Sequence, residues 1–205
     1  MINQKIFIAC DTKNLNQVRN IIKNTQTKKL NIGYKFGLEF FYSKSGRSFL
    51  SKINKNKTIF LDLKLNDIPN TCVSAVNALK DLKIDFAWIV NSEDGLDEIS
   101  PYAKTNVVQL KNNNITQIVI NPKELNIKPN SFENLLGKDP KYNSKKILEI
   151  FKGEDNDFSL AVCLNAAAGL IVCNKHENFE DAYEECRKHI LSGKTFNYLK
   201  LIQND

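Results

Sequence analysis

The sequence predicts an α/β protein in two stretches: parallel strands joined by helices, then a mixed α/β segment with a helical C-terminus. Three observations carry this. Short apolar runs rich in β-branched residues alternate with helix-period segments up to about residue 90. Two strand-like runs after Ile99 flank a polar turn, the signal of an antiparallel hairpin. From about residue 143 onward the periodic segments are helical only.

Each element follows from its residues. "KIFIAC" is a buried strand, and "DTKN" is the loop after it. "NLNQVRNIIKNT" sets Leu15, Val18, Ile21 and Ile22 at helical spacing behind Asn14, a capping residue. "LNIGYKFG" is a strand, "YSKSGRSFLSKI" a helix and "KTIFLDLKL" a strand. "NTCVSAVNALKDL" places Val73, Ala75, Val76, Leu79 and Leu82 on one helix face, and "IDFAWIV" is a fourth strand. The β-α-β-α-β-α-β order argues one parallel sheet with helical crossovers. "NVVQL" and "ITQIVI" form the hairpin around "KNNN". Helices are expected over 143–152, 158–174 and 178–192, the last capped by Asn178 and stopped by Gly193.

Bulk properties exclude several classes. The 205 residues suffice for one or two domains with a sizeable core. The net charge of +6 comes from scattered lysines without interleaved aromatics, so no nucleic-acid partner is expected. The longest apolar run, 160–173, is too short for a membrane span and carries Asn165. The start is too short and polar for a signal peptide, and cysteines without paired spacing are those expected in a reducing cytoplasm. Five cysteines show no CxxC spacing, and Cys10, Cys163 and Cys173 are expected to be buried, reduced thiols. His176 and His189 lie in charged surroundings and indicate no separate chemistry.

Chemistry concentrates in two places. In "LDLKLNDIPNT" the D-x-K spacing puts Asp62 and Lys64 on one face of a strand, with Asp67 on the loop beyond and Lys35 at the end of the preceding strand. Alternating carboxylates and ammoniums hold one another charged and suit a reaction that builds negative charge on carbon. A bare D-x-K is also the pattern of an ion-pair cluster at a strand end. Together with "IFIACDTKN" and "GYKFGLEFF", however, it resembles orotidine 5'-phosphate decarboxylase along residues 5 to about 85.

That resemblance implies a partial (βα) TIM-barrel-like half needing no cofactor. It implies that Asp11 binds the substrate ribose and that Lys35, Asp62, Lys64 and Asp67 form a charged tetrad. Lys64 would protonate the C6 carbanion after CO2 leaves. Asp67, Ile68 and Thr71 would reach the neighbouring subunit's site in a homodimer. Three strand-helix units and a fourth strand fit, against the eight of a full barrel.

The second place is "EDGLDEIS", residues 93–100, with Glu93, Asp94, Asp97 and Glu98. Adjacent carboxylates on a loop suit Mg2+, which takes one or two carboxylates with water and phosphate oxygens. Acidic residues at a helix start would look the same. With "VVQLKNNNITQIVINPKELNI", "LLGKDPKYNSKKILEIFKGE" and "AVCLNAAAGLIVCN", the stretch from about Ala87 resembles the C-terminal third of anthranilate phosphoribosyltransferase. This implies that Asp97 and Glu98 bind Mg2+ on phosphoribosyl diphosphate (PRPP). Gly137, Asp139, Pro140, Asn143 and Asn165 match that family in mostly structural roles. Its glycine-rich "GTGGD" loop and anthranilate-binding residues have no counterpart here.

The chain is therefore expected to be a chimera of two incomplete enzymes, 1–86 decarboxylase-like and 87–205 transferase-like. The motif ranks decarboxylation to UMP in pyrimidine biosynthesis first, inactive in an isolated chain that lacks half a barrel. The alternatives are Mg2+-dependent phosphoribosyl transfer in tryptophan biosynthesis and a non-catalytic fusion product. The expected partners are a nucleotide or PRPP substrate and a second copy of the chain, with no nucleic acid and no membrane.

Overall fold

In a computed structural model, residues 5–27, 31–53, 57–63, 74, 77, 84, 86–112 and 114–203 are described. The chain forms two compact units, Met1–Lys64 with Val76–Ile84, and Leu65–Ala75 with Asp85–Asp205.

The first unit holds a parallel sheet in the order β1-β2-β3, from Lys5–Ala9 (β1), Asn31–Gly37 (β2) and Thr58–Asp62 (β3). Between β1 and β2 runs Leu15–Asn24 (α1). Asn14 caps it, its side chain accepting from the backbone N–H of Asn16 and Gln17. Apolar spacing turns Val18 and Ile22 inward, and the Tyr34 hydroxyl of β2 donates to the Ile22 carbonyl at 3.3 Å. Of the helix expected over 42–53, Gly46–Lys52 (α3) forms, and a separate short helix, Leu38–Phe41 (α2), precedes it. The break sits at "YSKS", where the Ser43 hydroxyl turns back to the Phe40 carbonyl at 2.7 Å. Phe36, Phe40 and Phe49 lock the two helices to the sheet, with ring centroids 5.1–6.4 Å apart. Complete burial of a ring such as Phe36 is worth about 1.5–3 kcal/mol. Of the helix expected over 70–82, Ser74 and Asn77 are described and helical; its other residues, Cys72 among them, lie outside the described residues.

The fourth strand departs from expectation. Phe86–Ser92 (β4) does not extend the parallel sheet. It pairs antiparallel with Thr105–Lys111 (β5), which pairs antiparallel with Asn114–Ile120 (β6). A parallel partner needs a crossover of a dozen or more residues, usually helical. The chain after β4 instead turns back through Gly95 and Pro101 without a helix, so β5 returns alongside. A barrel-like run of parallel strands therefore stops at β3 among the described residues. The β5–β6 hairpin is as expected: Lys111 pairs with Asn114, and Asn112 takes φ +50, the left-handed conformation tight hairpin turns demand.

In the second unit, a short 3-10 turn at Phe132–Leu135 is followed by the α-helices Pro140–Phe151 (α4), Asp157–Val172 (α5), Phe179–Leu191 (α6) and Lys194–Gln203 (α7). Asp139 caps α4 with Pro140 as its first residue, and Asn156 with Ser159 forms a reciprocal capping box on α5. Asn178 caps α6 as expected, accepting from the Asp181 N–H. The last helix, α7, was not expected: Gly193 (φ +67) reads as a stop, yet the chain resumes helix one residue later. Helix α5 buries Cys163, Leu164, Ala167 and Ile171 against Ile99, Val107, Ile120 and Tyr183. Although its sequence is apolar nearly all round, it buries one face and leaves Val162 39% exposed. Cys173 follows the exposed side and is not the buried thiol expected; Cys10 and Cys163 are buried.

Candidate functional site

Neighbouring residues in a parallel ladder present their side chains to the same face. The register pairs Ala9 with Lys35, Lys35 with Phe60, and Gly37 with Asp62, which places Lys35, Phe60 and Asp62 on one face. There the Lys35 Nζ donates to Asp62 Oδ2 at 2.8 Å, with the two side chains 33% and 23% exposed. Asp11 stands on the loop after β1, with Oδ1 3.7 Å from where a Cβ on Gly37 would lie. Phe7 and Phe60 meet edge to face at 5.8 Å, and both are more than a third exposed. Lys35, Asp62 and Asp11 are thus near neighbours. Lys64, Asp67, Ile68 and Thr71 lie outside the described residues.

The acidic turn after β4 is built more fully. Gly95 takes φ +88, which an L side chain rarely adopts, and this lets the chain reverse. Asp94 braces the reversal: its Oδ1 accepts from the Leu96 N–H at 3.2 Å, and its Oδ2 accepts from the Ser100 hydroxyl. The Ser100 oxygen accepts from the Tyr102 N–H at 3.0 Å, and the Ser100 N–H donates to the Thr105 hydroxyl at 3.2 Å. Ser100 and Thr105 are both fully buried. At Ile99 the brace comes from α5. Asn165 Oδ1 accepts from the Ile99 N–H at 2.9 Å, and Asn165 Nδ2 donates to the Ile99 carbonyl at 3.0 Å. Between these struts stand Asp97 and Glu98 with exposed side chains. No helix starts here, so the acidic run is not a helix N-terminus.

Among the described residues no group of three or more His, Cys, Asp or Glu side chains gathers to hold a metal. Two adjacent carboxylates on an exposed turn are too few to enclose Ca2+ or Zn2+. They fit Mg2+, which keeps several waters and takes its remaining oxygens from a substrate phosphate. Sequence reasoning missed Asp94, Ser100 and Thr105 as the frame of this turn. The Asp-Gly pair at 94–95 was the available signal.

Residues 68–196 match the model of the glycosyl transferase family, a/b domain, over more than half the chain. The chain belongs to the glycosyl transferase family. Residues 4–106 match a second model, the orotidine 5'-phosphate decarboxylase / HUMPS family, so the N-terminal half belongs to that family as well. The chain is 70% identical over 128 residues to the anthranilate phosphoribosyltransferase of Pelagibacter ubique (strain HTCC1062), covering 62% of this chain and 39% of the relative. That of Pseudoalteromonas translucida (strain TAC 125) is 33% identical over 135 residues, covering 65% and 38%. The chain spans about two fifths of the length of these relatives. Among solved structures, anthranilate phosphoribosyltransferase from Thermus thermophilus overlays 69% of this chain and 41% of its own, at TM-score 0.58 and 24% identity. The Saccharomyces cerevisiae enzyme in complex with PRPP and Mg overlays 96% of this chain and 71% of its own, at TM-score 0.58 and 14% identity. These overlays show the fold.

The relatives overturn decarboxylation as the leading reading of function. Identity of 70% and the shared fold both fall on anthranilate phosphoribosyltransferase. The physical reason is visible in β4. It opens an antiparallel sheet instead of continuing the strand series from which a decarboxylase barrel would close.

Proposed function

We propose that the chain carries the metal and diphosphate-binding turn of an anthranilate phosphoribosyltransferase-like enzyme, with Asp97 and Glu98 as ligands for Mg2+ on PRPP. The observation that carries this reading is the braced turn itself, which presents two adjacent carboxylates within the segment 70% identical to the Pelagibacter ubique enzyme. A bound Mg2+ would neutralise the diphosphate and make it a better leaving group. The role of this chain's own residues is to hold the two carboxylates at one point on a turn fixed by Asp94, Ser100 and Asn165.

Calorimetry of the purified chain with PRPP tests the reading. Binding is expected with Mg2+ and not with EDTA, and is expected to vanish in Asp97→Asn/Glu98→Gln. Binding that ignores Mg2+, or that survives the double substitution, overturns it. On the same reading the junction of the two family segments falls within 68–106, where the two matches overlap. Uninterrupted sequencing reads through those codons test that position.

A further inference from the structure

Asn165 is an odd residue for its position. It sits inside α5 in the apolar run 160–173, where asparagine is a poor helix former. Its carboxamide is nevertheless almost fully used. Besides the paired bonds to Ile99 N–H and carbonyl, the Nδ2 group donates to the Ala161 carbonyl at 2.9 Å. The orientation of the amide is forced, because the Ile99 N–H requires an acceptor and the Ile99 carbonyl a donor. A carboxylate of the same shape supplies no donor for the Ile99 carbonyl.

The grip falls on the residue directly after Glu98. Ile99 is itself 1% exposed and anchored in the core by its side chain. The main chain at 99 is thus fixed from the core and from α5, and the two acidic residues hang from that fixed point. On the other side the Asp94 brace holds Leu96. Asp97 and Glu98 are the short span between the two fixtures.

We propose that Asn165 is a positioning residue for the acidic pair: through the Ile99 backbone it holds Asp97 and Glu98 in the arrangement that a divalent cation on a diphosphate requires. The proposal rests on the metal-binding reading above. A pair held in place loses less freedom on binding the ion than one on a loose turn, so releasing the grip weakens metal affinity even if the fold survives.

Mn2+ alone is the probe, titrated into the full chain and followed by paramagnetic broadening of backbone amides, with thermal unfolding measured in parallel. The wild-type chain is expected to lose its signals at residues 96–100 first. Asn165→Ala and Asn165→Asp are expected to weaken Mn2+ binding at least fivefold. The added charge of the aspartate would by itself attract the cation, so weakening in that variant reports the lost grip. Ala167→Gly, on the buried face of the same helix, serves as the stability control and is expected to lower Tm while leaving Mn2+ affinity within twofold. If wild type responds normally and both Asn165 variants bind within twofold of it, the Asn165 role is overturned while the metal reading stands. Equal weakening by Ala167→Gly also overturns it, reducing Asn165 to fold maintenance. Absence of any Mn2+ response in wild type overturns the metal reading itself, and the Asn165 role with it.

Discussion

Lys35 and Asp62, on neighbouring parallel strands, form an ion pair at 2.8 Å on one face of the first sheet. Both side chains keep part of their surface in water, so solvent screens the attraction. Lys35→Met is expected to change unfolding free energy by less than about 1 kcal/mol. Urea denaturation at low and high salt checks this. A loss above about 2 kcal/mol would mean that the pair is structurally essential.

Asp157 predicts a larger effect. Its carboxylate, 1% exposed at the start of α5, accepts from the Asn130 N–H, the Ser131 N–H and the side-chain amides of Asn130 and Asn134. Asp157→Ala removes the acceptor that these part-exposed donors share, at an expected cost of about 1–3 kcal/mol in chemical denaturation. A loss below about 1 kcal/mol would show that water replaces the carboxylate.

The same carboxylate sets a pH dependence. Burial raises its pKa, but the hydrogen bonds from Asn130, Asn134 and Ser131 outweigh burial and hold it below the ordinary aspartate value. A group depressed in the folded state contributes fully above its unfolded pKa of about 4 and loses that contribution as pH falls through the folded value. The stability gap between wild type and Asp157→Asn is therefore expected to be constant from about pH 5 to 7 and to shrink below about pH 4. Denaturant midpoints across that range measure it; a gap that widens in acid contradicts the assignment.

Gly153 follows α4 with φ +98, and a Cβ there would lie 2.7 Å from the Leu191 carbonyl oxygen. Backbone at both ends leaves no side chain to swing aside. Gly153→Ala is expected to cost about 1–3 kcal/mol. An unchanged Tm would show that the α4–α5 connection relaxes freely.

Thiol reactivity separates the cysteines. Burial, then the charge of Asp11, pushes the Cys10 thiol up to about 11. Burial does the same for Cys163 and Cys186, each about 11. At pH 8 about one in a thousand of such thiols is ionised. Cys173 is exposed and is expected to react with an aromatic disulfide reagent first among these four. Peptide mapping after brief labelling decides the order, and early modification of Cys163 would contradict the packing of α5.

Local features were readable before any fold was known. Asn14 and Asn178 cap their helices because an N-cap depends on neighbours two or three residues away. The β5–β6 hairpin was legible because its turn and alternating strands lie in one continuous stretch. The phase of α5 was not legible, since an almost uniformly apolar run does not say which side meets the core, and so Cys173 was misplaced. Helix α7 was missed because a glycine after a helix reads as an end.

The sequence by itself determined most strands and helices, the Asn14 and Asn178 caps, the acidic pair and the kinship of each half, because these are written in adjacent residues. Tertiary structure alone decided that β4 joins the antiparallel sheet and that Asn165 grips Ile99 across 66 positions. Such choices arise where distant segments compete for the same edge or the same backbone groups, and no local pattern records which contact wins.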